Sequence, residues 1–528
     1  MSLLHYRLLL FALAAVVVAG MGLDLMEVDA AQYAAMAREM LERKDYLHLY
    51  HRGHDYLDKP PLLFWLSALS YQVFGVSNWS YKLPSVLAAA WGLYALYRFV
   101  LLHYDAMRAR RATLVFALSA AFLLMTNDVR CDTLLTSAVI SAVWMGSAYL
   151  ERRRWWSLIG FAVSLAVGLL AKGPLGAAVP LIALGGDAFV RERWRKWMDA
   201  RLLIVPGVVL LLLFPMFVGL YEQHGWHGVR FFLWEQSFGR ITGENRWKDD
   251  SSAFFFLHEL PWLALPWTLF LIFGIFRGYR DLIDPARRYQ HEHIALVGAV
   301  AVFAALSFSH FKLPHYLYVT LPLFAVLAAN GIEDAPPWLV RAHGAILVLL
   351  GAGVGFVVLY CFPSNTGMVT LIALVITCGY AIRTTWQGRG SWVAATGALF
   401  IACALTINVW IYPAVLHYQA NAFAGRWAAE HGVPEDRFFG LQVAGTALDL
   451  YAGHPVRWLS NLEEARAVIV PGVAVYTDAA HAKELRAAGF VPKDSLVMQD
   501  HRVQLLSLDF LLPGRRSKML GSRVILVY

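Results

Sequence analysis

Thirteen apolar runs recur along this 528-residue chain, and a run of about 20 apolar residues is what one helix needs to cross a bilayer. They lie near residues 8–20, 83–103, 113–125, 134–150, 157–170, 175–190, 202–221, 260–276, 294–309, 317–329, 345–361, 368–381 and 393–411. Hydrophobic residues make up 59% of the sequence and charged residues only 16%, against about 25% charged in an ordinary soluble domain. A soluble cytosolic enzyme, a disordered protein and a disulfide-stapled secreted module are therefore excluded. The four cysteines form no framework, and Cys361, Cys378 and Cys403 fall in or beside apolar runs as embedded core residues. The first run follows Arg7 and is not followed by a small-residue cleavage site, so it is expected to be a retained span rather than a signal peptide.

The net charge of +8 is a topology signal once it is sorted by loop. With the N-terminus placed in the cytoplasm, successive inner loops hold Arg108, Arg110 and Arg111; Arg152, Arg153 and Arg154; Arg191, Arg193, Arg195, Lys196 and Arg201; Arg277, Arg280, Arg287 and Arg288; and Arg383 and Arg389. The short outer loops carry few cations, namely Arg130, Lys172 and Lys312. This is the positive-inside pattern, and an odd number of spans puts the C-terminus outside. The expected fold is an α-helical polytopic membrane protein of about 13 transmembrane helices, with interfacial helices in the first outer loop and a small C-terminal α/β periplasmic domain. Residues 1–415 form the membrane domain, whose outer loops 23–82 and 222–259 are too long to be linkers; residues 416–528 form the soluble domain. In that domain, residues 473–476 and 503–508 read as strands and 479–488 as a helix. Neither an internal repeat nor a low-complexity tract is visible.

The first outer loop carries the densest chemistry. Residues 28–41, VDAAQYAAMAREML, space Tyr33, Met36, Ala37 and Met40 on one face of a helix expected to lie along the membrane surface. Asp29 stands at its start, where it is either an N-cap or a functional carboxylate, with Glu27 just upstream. Tyr56–Leu57–Asp58–Lys59–Pro60–Pro61–Leu62 opens a second interfacial helix, its two prolines suited to a first turn. Asp58 and Lys59 form either a surface ion pair or, at headgroup level, a lysine suited to a phosphate.

In order, the segments D-x-x-x-Y-x-x-x-x-R-E-M from Asp29, Y-x-D-K-P-P-L-L-x-W-L from Tyr56 and F-G-V-S-x-W-S-x-K-L-P-S from Phe74 resemble the polyprenyl-phosphate-sugar glycosyltransferases of the C-type membrane fold. The resemblance is to the bacterial branch near protein O-mannosyltransferases and the lipid A aminoarabinose transferases. Three later pieces extend it: Arg130–Cys131–Asp132 before Leu134, Leu170–Ala171–Lys172–Gly173–Pro174, and Lys312–Leu313–Pro314–His315–Tyr316. Each motif is weak alone; together they keep one order and fall on one side of the membrane. The family usually has an Asp-Glu pair where this chain has Asp29–Ala30, so the aspartate is kept and the glutamate is lost.

The resemblance implies a multi-pass bacterial inner-membrane enzyme that takes a sugar from an undecaprenyl-phosphate donor. The acceptor is a lipid, a protein or another glycan on the periplasmic side, and transfer inverts the anomeric carbon. It implies catalytic roles for Asp29 and Asp132. It assigns donor phosphate or lipid contacts to Tyr56, Lys59, Lys172, Arg240, Lys312 and Tyr316, with Arg240 in a W-E-Q-S-F-G-R-I-T-G segment. A phosphate leaving group gathers negative charge as its bond breaks, which is why cations should surround it. A hydroxyl acceptor needs a base such as Asp29, whereas a phosphate acceptor needs only positioning. No cofactor is required, although Asp58 with a histidine such as His258 offers a site for a divalent cation. His224, His227, His258, His310 and His315 match no closed zinc spacing. The aromatic residues Tyr33, Trp65, Trp79, Trp234 and Trp247 first form an interfacial belt. Membrane lipids are partners, nucleic acid is not, and a monomer is expected.

Two other classes compete. A transporter or flippase of lipid-linked sugars would place its polar groups near the midplane, between repeated halves. A periplasmic O-antigen ligase or polymerase would share donor and topology but lack the D-K-P-P-L segment.

Overall fold

The structure, a computed structural model, describes residues 2–236, 239, 251–388 and 392–528. Every one of the thirteen apolar runs falls on helix. The first ten helices are α1 (Leu3–Gly20), α2 (Asp29–Arg43), α3 (Leu62–Phe74), α4 (Asn78–His103), α5 (Ala106–Ala117), α6 (Ala120–Asn127), α7 (Cys131–Arg152), α8 (Trp155–Lys172), α9 (Leu175–Val190) and α10 (Ile204–Arg230). Among the described residues nine helices are long and apolar enough to cross a bilayer. Two bent pairs raise the number to 11: α5 with α6, at 54°, and Phe255–Leu263 with Thr268–Ile283, at 117°. The remaining two runs form α9 and Ile294–Ser307, which are shorter. The chain is an integral membrane protein.

Helix α7 is the hub of the bundle: Cys131 to Tyr149 is buried throughout. Its small residues make this possible, because in lipid close backbone approach and hydrogen bonds hold helices together where no hydrophobic gradient can. A Cβ on Gly92 of α4 would meet Ser137 Oγ of α7 at 2.7 Å. The Trp91 indole donates to Ser141 Oγ at 2.8 Å. Helices α8 and α9 approach more closely still, since a Cβ on Gly176 would sit 2.2 Å from the Gly168 backbone.

The first outer loop differs from its expected form in three ways. Helix α2 does not lie open on the surface; it packs against both α3 and the helix Thr446–Ala452, and its Tyr33, Met36, Ala37 and Met40 are buried. Covering an aromatic or methionine side chain in this way contributes about 1.5–3 kcal/mol each. Asp29 is not an N-cap: Val28 occupies that position without a side-chain cap, and the Asp29 carboxylate turns elsewhere. The two prolines precede α3 rather than fill its first turn, with Pro61 as N-cap. Helix α4 starts on a capping box in which Ser77 and Ser80 satisfy each other's backbone N–H groups, an arrangement worth about 1 kcal/mol. Residues 222–230, expected in the second outer loop, extend α10 past a break at Gly225, whose φ of 61° an L side chain rarely adopts.

Beyond the last span, strands β3 (Phe438–Leu441), β4 (Arg457–Leu459), β5 (Ala474–Asp478), β6 (Asp494–Asp500) and β7 (Gly521–Val527) form a sheet of order β4-β3-β5-β7-β6; β1 (Tyr50–His51) and β2 (His54–Asp55) form a short hairpin in the first outer loop. The β3 pairings are parallel and those of β7 antiparallel. One apolar layer holds Leu485 of the helix Ala479–Ala487, and the other holds Ala424 and Leu448. The strand expected at 473–476 is present as β5, Ala474–Asp478, with the expected helix after it, but residues 503–508 are not a strand. Their apolar side chains point two ways, Val503 into a cluster with the span ends and Leu505, Leu506 and Leu508 outward.

Candidate active site at one end of the bundle

Helix α7 begins where α6 ends, and the turn between them, Asp128–Val129–Arg130, lies at the end of the bundle opposite the arginine-rich loops. Arg130 reaches in two directions. Its Nη1 donates to Asp29 Oδ2 at 2.7 Å and its Nε to Asp128 Oδ2 at 2.8 Å. Burial opposes the guanidinium charge, but Asp128, Asp29 and Asp132 outweigh it and hold the Arg130 pKa above its ordinary value. Asp128 is itself buried, and that burial raises its pKa despite Arg130. Asp29 is 35% exposed at its side chain, so one edge of its carboxylate faces open space.

Asp132 has a different setting. Its side chain is 5% exposed, accepts from Lys172 Nζ at 2.5 Å through Oδ1, and has His315 Nε2 at 3.9 Å from Oδ2. Lys172 ends α8, and Gly173 with φ of 71° turns the chain toward Pro174 and α9. The ammonium also lies 4.6 Å from the Tyr316 ring centroid, a cation–π distance. The three late motifs thus converge on one another through Asp132, Lys172, His315 and Tyr316, although Asp132 and His315 are 183 positions apart in sequence.

The first outer loop supplies the facing wall. Lys59 pairs with Asp58, and the Gln236 side chain donates to the Asp58 carbonyl. Lys59 is close enough to act electrostatically on both Cys131 and His315, so it belongs to the same cluster. Tyr33 and Tyr56 pack edge-on to Phe64 at 5.6 and 6.2 Å, and burial drives both phenol pKa values well up. Tyr56 and Lys59 also line a cleft with Met216 and Leu220 of α10 and Phe232. Lys312 is buried and donates to the Ser251 carbonyl at 3.0 Å. His258 is exposed on the helix Phe255–Leu263, and Arg240 lies outside the described residues. Among the described residues no group of three His, Cys, Asp or Glu side chains could hold a metal ion.

Glu27 does not stand in for the lost second carboxylate. Its two oxygens accept from Asn421 Nδ2 at 3.1 and 2.9 Å, and Oε1 accepts from the Ala447 N–H at 2.9 Å. It faces the C-terminal sheet unit, which grips the first outer loop at further points: Arg426 to Asp24 at 2.7 Å, Arg52 to Asp449 at 2.6 Å, and Arg38 to the Leu450 carbonyl at 3.0 Å. Sequence reasoning gave no individual role to Arg130, Asp128 or His315. The alternation Asp128, Arg130, Asp132 across a helix boundary was the available signal, since an outer loop poor in cations places its one arginine between two carboxylates.

Residues 58–218 match the family model described as dolichyl-phosphate-mannose-protein mannosyltransferase. The crystal structure of ArnT from Cupriavidus metallidurans bound to undecaprenyl phosphate superposes with a TM-score of 0.74 at 18% identity, over 98% of this chain and 97% of that one. The chain has the C-type membrane glycosyltransferase fold. Among curated relatives, the undecaprenyl phosphate-alpha-4-amino-4-deoxy-L-arabinose arabinosyl transferase of Pectobacterium carotovorum subsp. carotovorum is 25% identical over 67% of this chain and 65% of its own length. The corresponding transferase 1 of Sodalis glossinidius is 29% identical over 59% of this chain and 56% of its own. The matches therefore span less than two thirds of either relative. Within the C-type fold, the segment from Asp58 to α10 that the family model matches includes Lys59, Arg130, Asp132 and Lys172.

Proposed function

We propose that this chain transfers a sugar from an undecaprenyl-phosphate donor to an acceptor on the outer side of a bacterial inner membrane. The observation that carries the reading is the pairing of a half-open carboxylate, Asp29, with a cluster of cations at one membrane boundary. The relatives' names supply the donor class, and a 4-amino-4-deoxy-L-arabinosyl donor is the first to test. Orientation follows from the arginine-rich loops, which put the cluster outside, with 13 spans and the C-terminal unit on the same outer side.

In the proposed reaction an acceptor oxygen attacks the anomeric carbon as the bond from that carbon to the phosphate oxygen breaks, and configuration inverts. The polyprenyl phosphate departs as a monoester anion with the bonding electrons. Lys59 and Lys172 stabilise that charge where it develops, Lys59 from the first outer loop and Lys172 from the end of α8. For a hydroxyl acceptor, Asp29 takes the proton, and Arg130 fixes its orientation. Asp132 holds Lys172 rather than touching substrate. Tyr56 and Tyr316 shape the walls beside the two lysines, with Lys312 and Arg240 as further phosphate contacts. Acceptor classes remain lipid, protein and glycan, and no partner chain is needed for the proposed site. Chelation of divalent metal is expected to leave turnover in place; its loss would give Asp58 a cation to hold.

A flippase is disfavoured by position, because Arg130, Asp132, Lys172 and His315 sit at helix ends and not midway along the spans. Mass spectrometry of polyprenyl-phosphate sugars, lipid A and envelope glycoproteins in a deletion strain tests the reading. It expects one lipid-linked sugar to accumulate while one modified product disappears. No change in any polyprenyl-linked species would overturn it.

A further inference from the structure

Residues 503–520 interrupt the C-terminal sheet between β6 and β7, and they are apolar for a reason the sheet does not supply. Val503 and Phe510 are buried, yet Leu505, Leu506 and Leu508 are 61%, 50% and 76% exposed. Three adjacent leucines facing away from a fold need a partner. Phe510 stacks on His501 at 4.0 Å and meets Tyr418 edge-on at 5.3 Å. Its cluster contains Cys361 and Phe362, at the outer end of the span Pro337–Cys361, and Leu416, at the end of the span Trp392–Leu416. Arg516 completes the seat: its Nη2 donates to the Cys361 carbonyl at 2.6 Å, and its guanidinium lies 4.1 Å from the Phe362 ring centroid.

The height of this segment is therefore set by two span ends. Just before Cys361, Leu359 and Tyr360 are 56% and 54% exposed on a helix apolar enough to cross a bilayer, so the seat of the segment adjoins a span end with an apolar outer surface. The segment 501–520 also holds four cationic side chains, Arg502, Arg515, Arg516 and Lys518, against one carboxylate, Asp509. Apolar side chains beside a cationic excess at the level of the headgroups are the chemistry of an interfacial anchor on an anionic leaflet.

We propose that residues 503–520 are a membrane anchor: Leu505, Leu506 and Leu508 enter the outer acyl boundary, and Arg502 and Lys518 contact headgroup phosphates, while Arg516 seats the segment on the span end and Arg515 pairs with Asp509. This inference requires only that the chain spans a membrane and is independent of the transfer reaction. Its consequence is mechanical. The sheet unit is fixed to the bilayer at 503–520 and to the first outer loop through Glu27, Asp24 and Arg52, so Asp29 is held at a set depth by a body that touches lipid itself.

The test uses the full chain in nanodiscs containing phosphatidylglycerol. A polarity-sensitive fluorophore is placed at Leu506→Cys, at Leu508→Cys, or at Val491→Cys, which is 78% exposed beside an apolar layer that includes no span residue. Signal from the native cysteines is subtracted with the labelled parent chain. Lipids with a spin label just below the headgroup are expected to quench the Leu506 and Leu508 probes at least ~3-fold more than the Val491 probe, as insertion into the acyl boundary requires. Equal quenching at all three positions overturns the proposal, as does a probe shielded only in discs that hold two copies of the chain. Both leucines are exposed, so folding is not at stake in their replacement, and the second position guards against failure of the first.

Discussion

Asp29 and Asp132 both act electrostatically on Arg130 and share a charge, but their surroundings divide them. Asp29 belongs to a helix of the first outer loop, keeps a 35% exposed side chain and has Arg130 on one edge. Asp132 belongs to the most buried helix of the bundle and is 5% exposed between Lys172 and His315. The difference separates two tasks that a motif list joins. A group that must meet an incoming acceptor needs an open edge, whereas a group that must hold a lysine in place is most effective when closed. Desolvation makes the closed pair expensive to break, since removing one partner strands a buried charge. The open pair has access to water and to substrate.

The comparison can be broken in several places, and the largest effect is expected at its centre. Arg130→Met leaves Asp128 as a buried carboxylate without its cation and releases Asp29 at once. Thermal unfolding in detergent should show a loss of about 3–5 kcal/mol with turnover abolished, and Arg130→Lys should not rescue both contacts because an ammonium lacks the planar fork. Next comes the closed pair. Asp132→Asn and Lys172→Met should each destabilise, while the double variant should recover about 1–3 kcal/mol of the summed cost in a double-mutant cycle. Additive losses would mean the two do not act as a unit. A smaller effect belongs to Lys59→Ala, which removes one of the two cations proposed to face the leaving phosphate. The kcat/KM for lipid-linked donor should fall about tenfold, equivalent to 1.4 kcal/mol, with kcat sharing in the loss.

The smallest effect concerns the grip of the sheet unit. Burial raises the Glu27 pKa above its ordinary value, although the Ala447 N–H and Asn421 oppose that rise. A carboxyl with a raised folded pKa binds more protons folded than unfolded, so its contribution to stability falls as pH climbs from the ordinary glutamate range through the raised value. Glu27→Gln mimics the protonated form. The variant should melt higher than the parent at neutral pH, and the gap should close as pH drops toward 4.5. A gap that widens in acid would reverse the assignment.

Much of the site was legible in sequence because chemistry that needs fixed spacing leaves it in the chain. Lys59 before two prolines, Lys172 before Gly173–Pro174, and Lys312 ahead of Tyr316 could all be placed on one side of the membrane by counting spans and arginines. Pairing across the fold was not legible. Arg130 and Asp29 are 101 positions apart, whereas Asp128 and Asp132 flank Arg130 in the chain, so nothing local points to Asp29 as a partner. The role of Glu27 was left open by its sequence neighbourhood because its partner, Asn421, lies 394 positions away. Residues 503–508 misled for another physical reason. Alternating apolar residues mark a strand only when one face is covered by its own sheet, and here the two faces belong to the span ends and to open surface. The two short helices, α9 and Ile294–Ser307, show the same limit for spans: hydropathy finds them, but length does not certify them.

The division of labour between the two aspartates is tested most directly by single-turnover transfer from purified lipid-linked donor at saturating concentration, comparing Asp29→Asn with Asp132→Asn. Asp29→Asn should bind donor normally and lose at least ~100-fold in the rate of the chemical step, the usual scale for a lost general base. Asp132→Asn should weaken donor binding and slow the chemical step together, because a misplaced Lys172 fails both the donor phosphate and the leaving anion. Unchanged single-turnover rate in Asp29→Asn, or a loss confined to the chemical step in Asp132→Asn, would contradict the account.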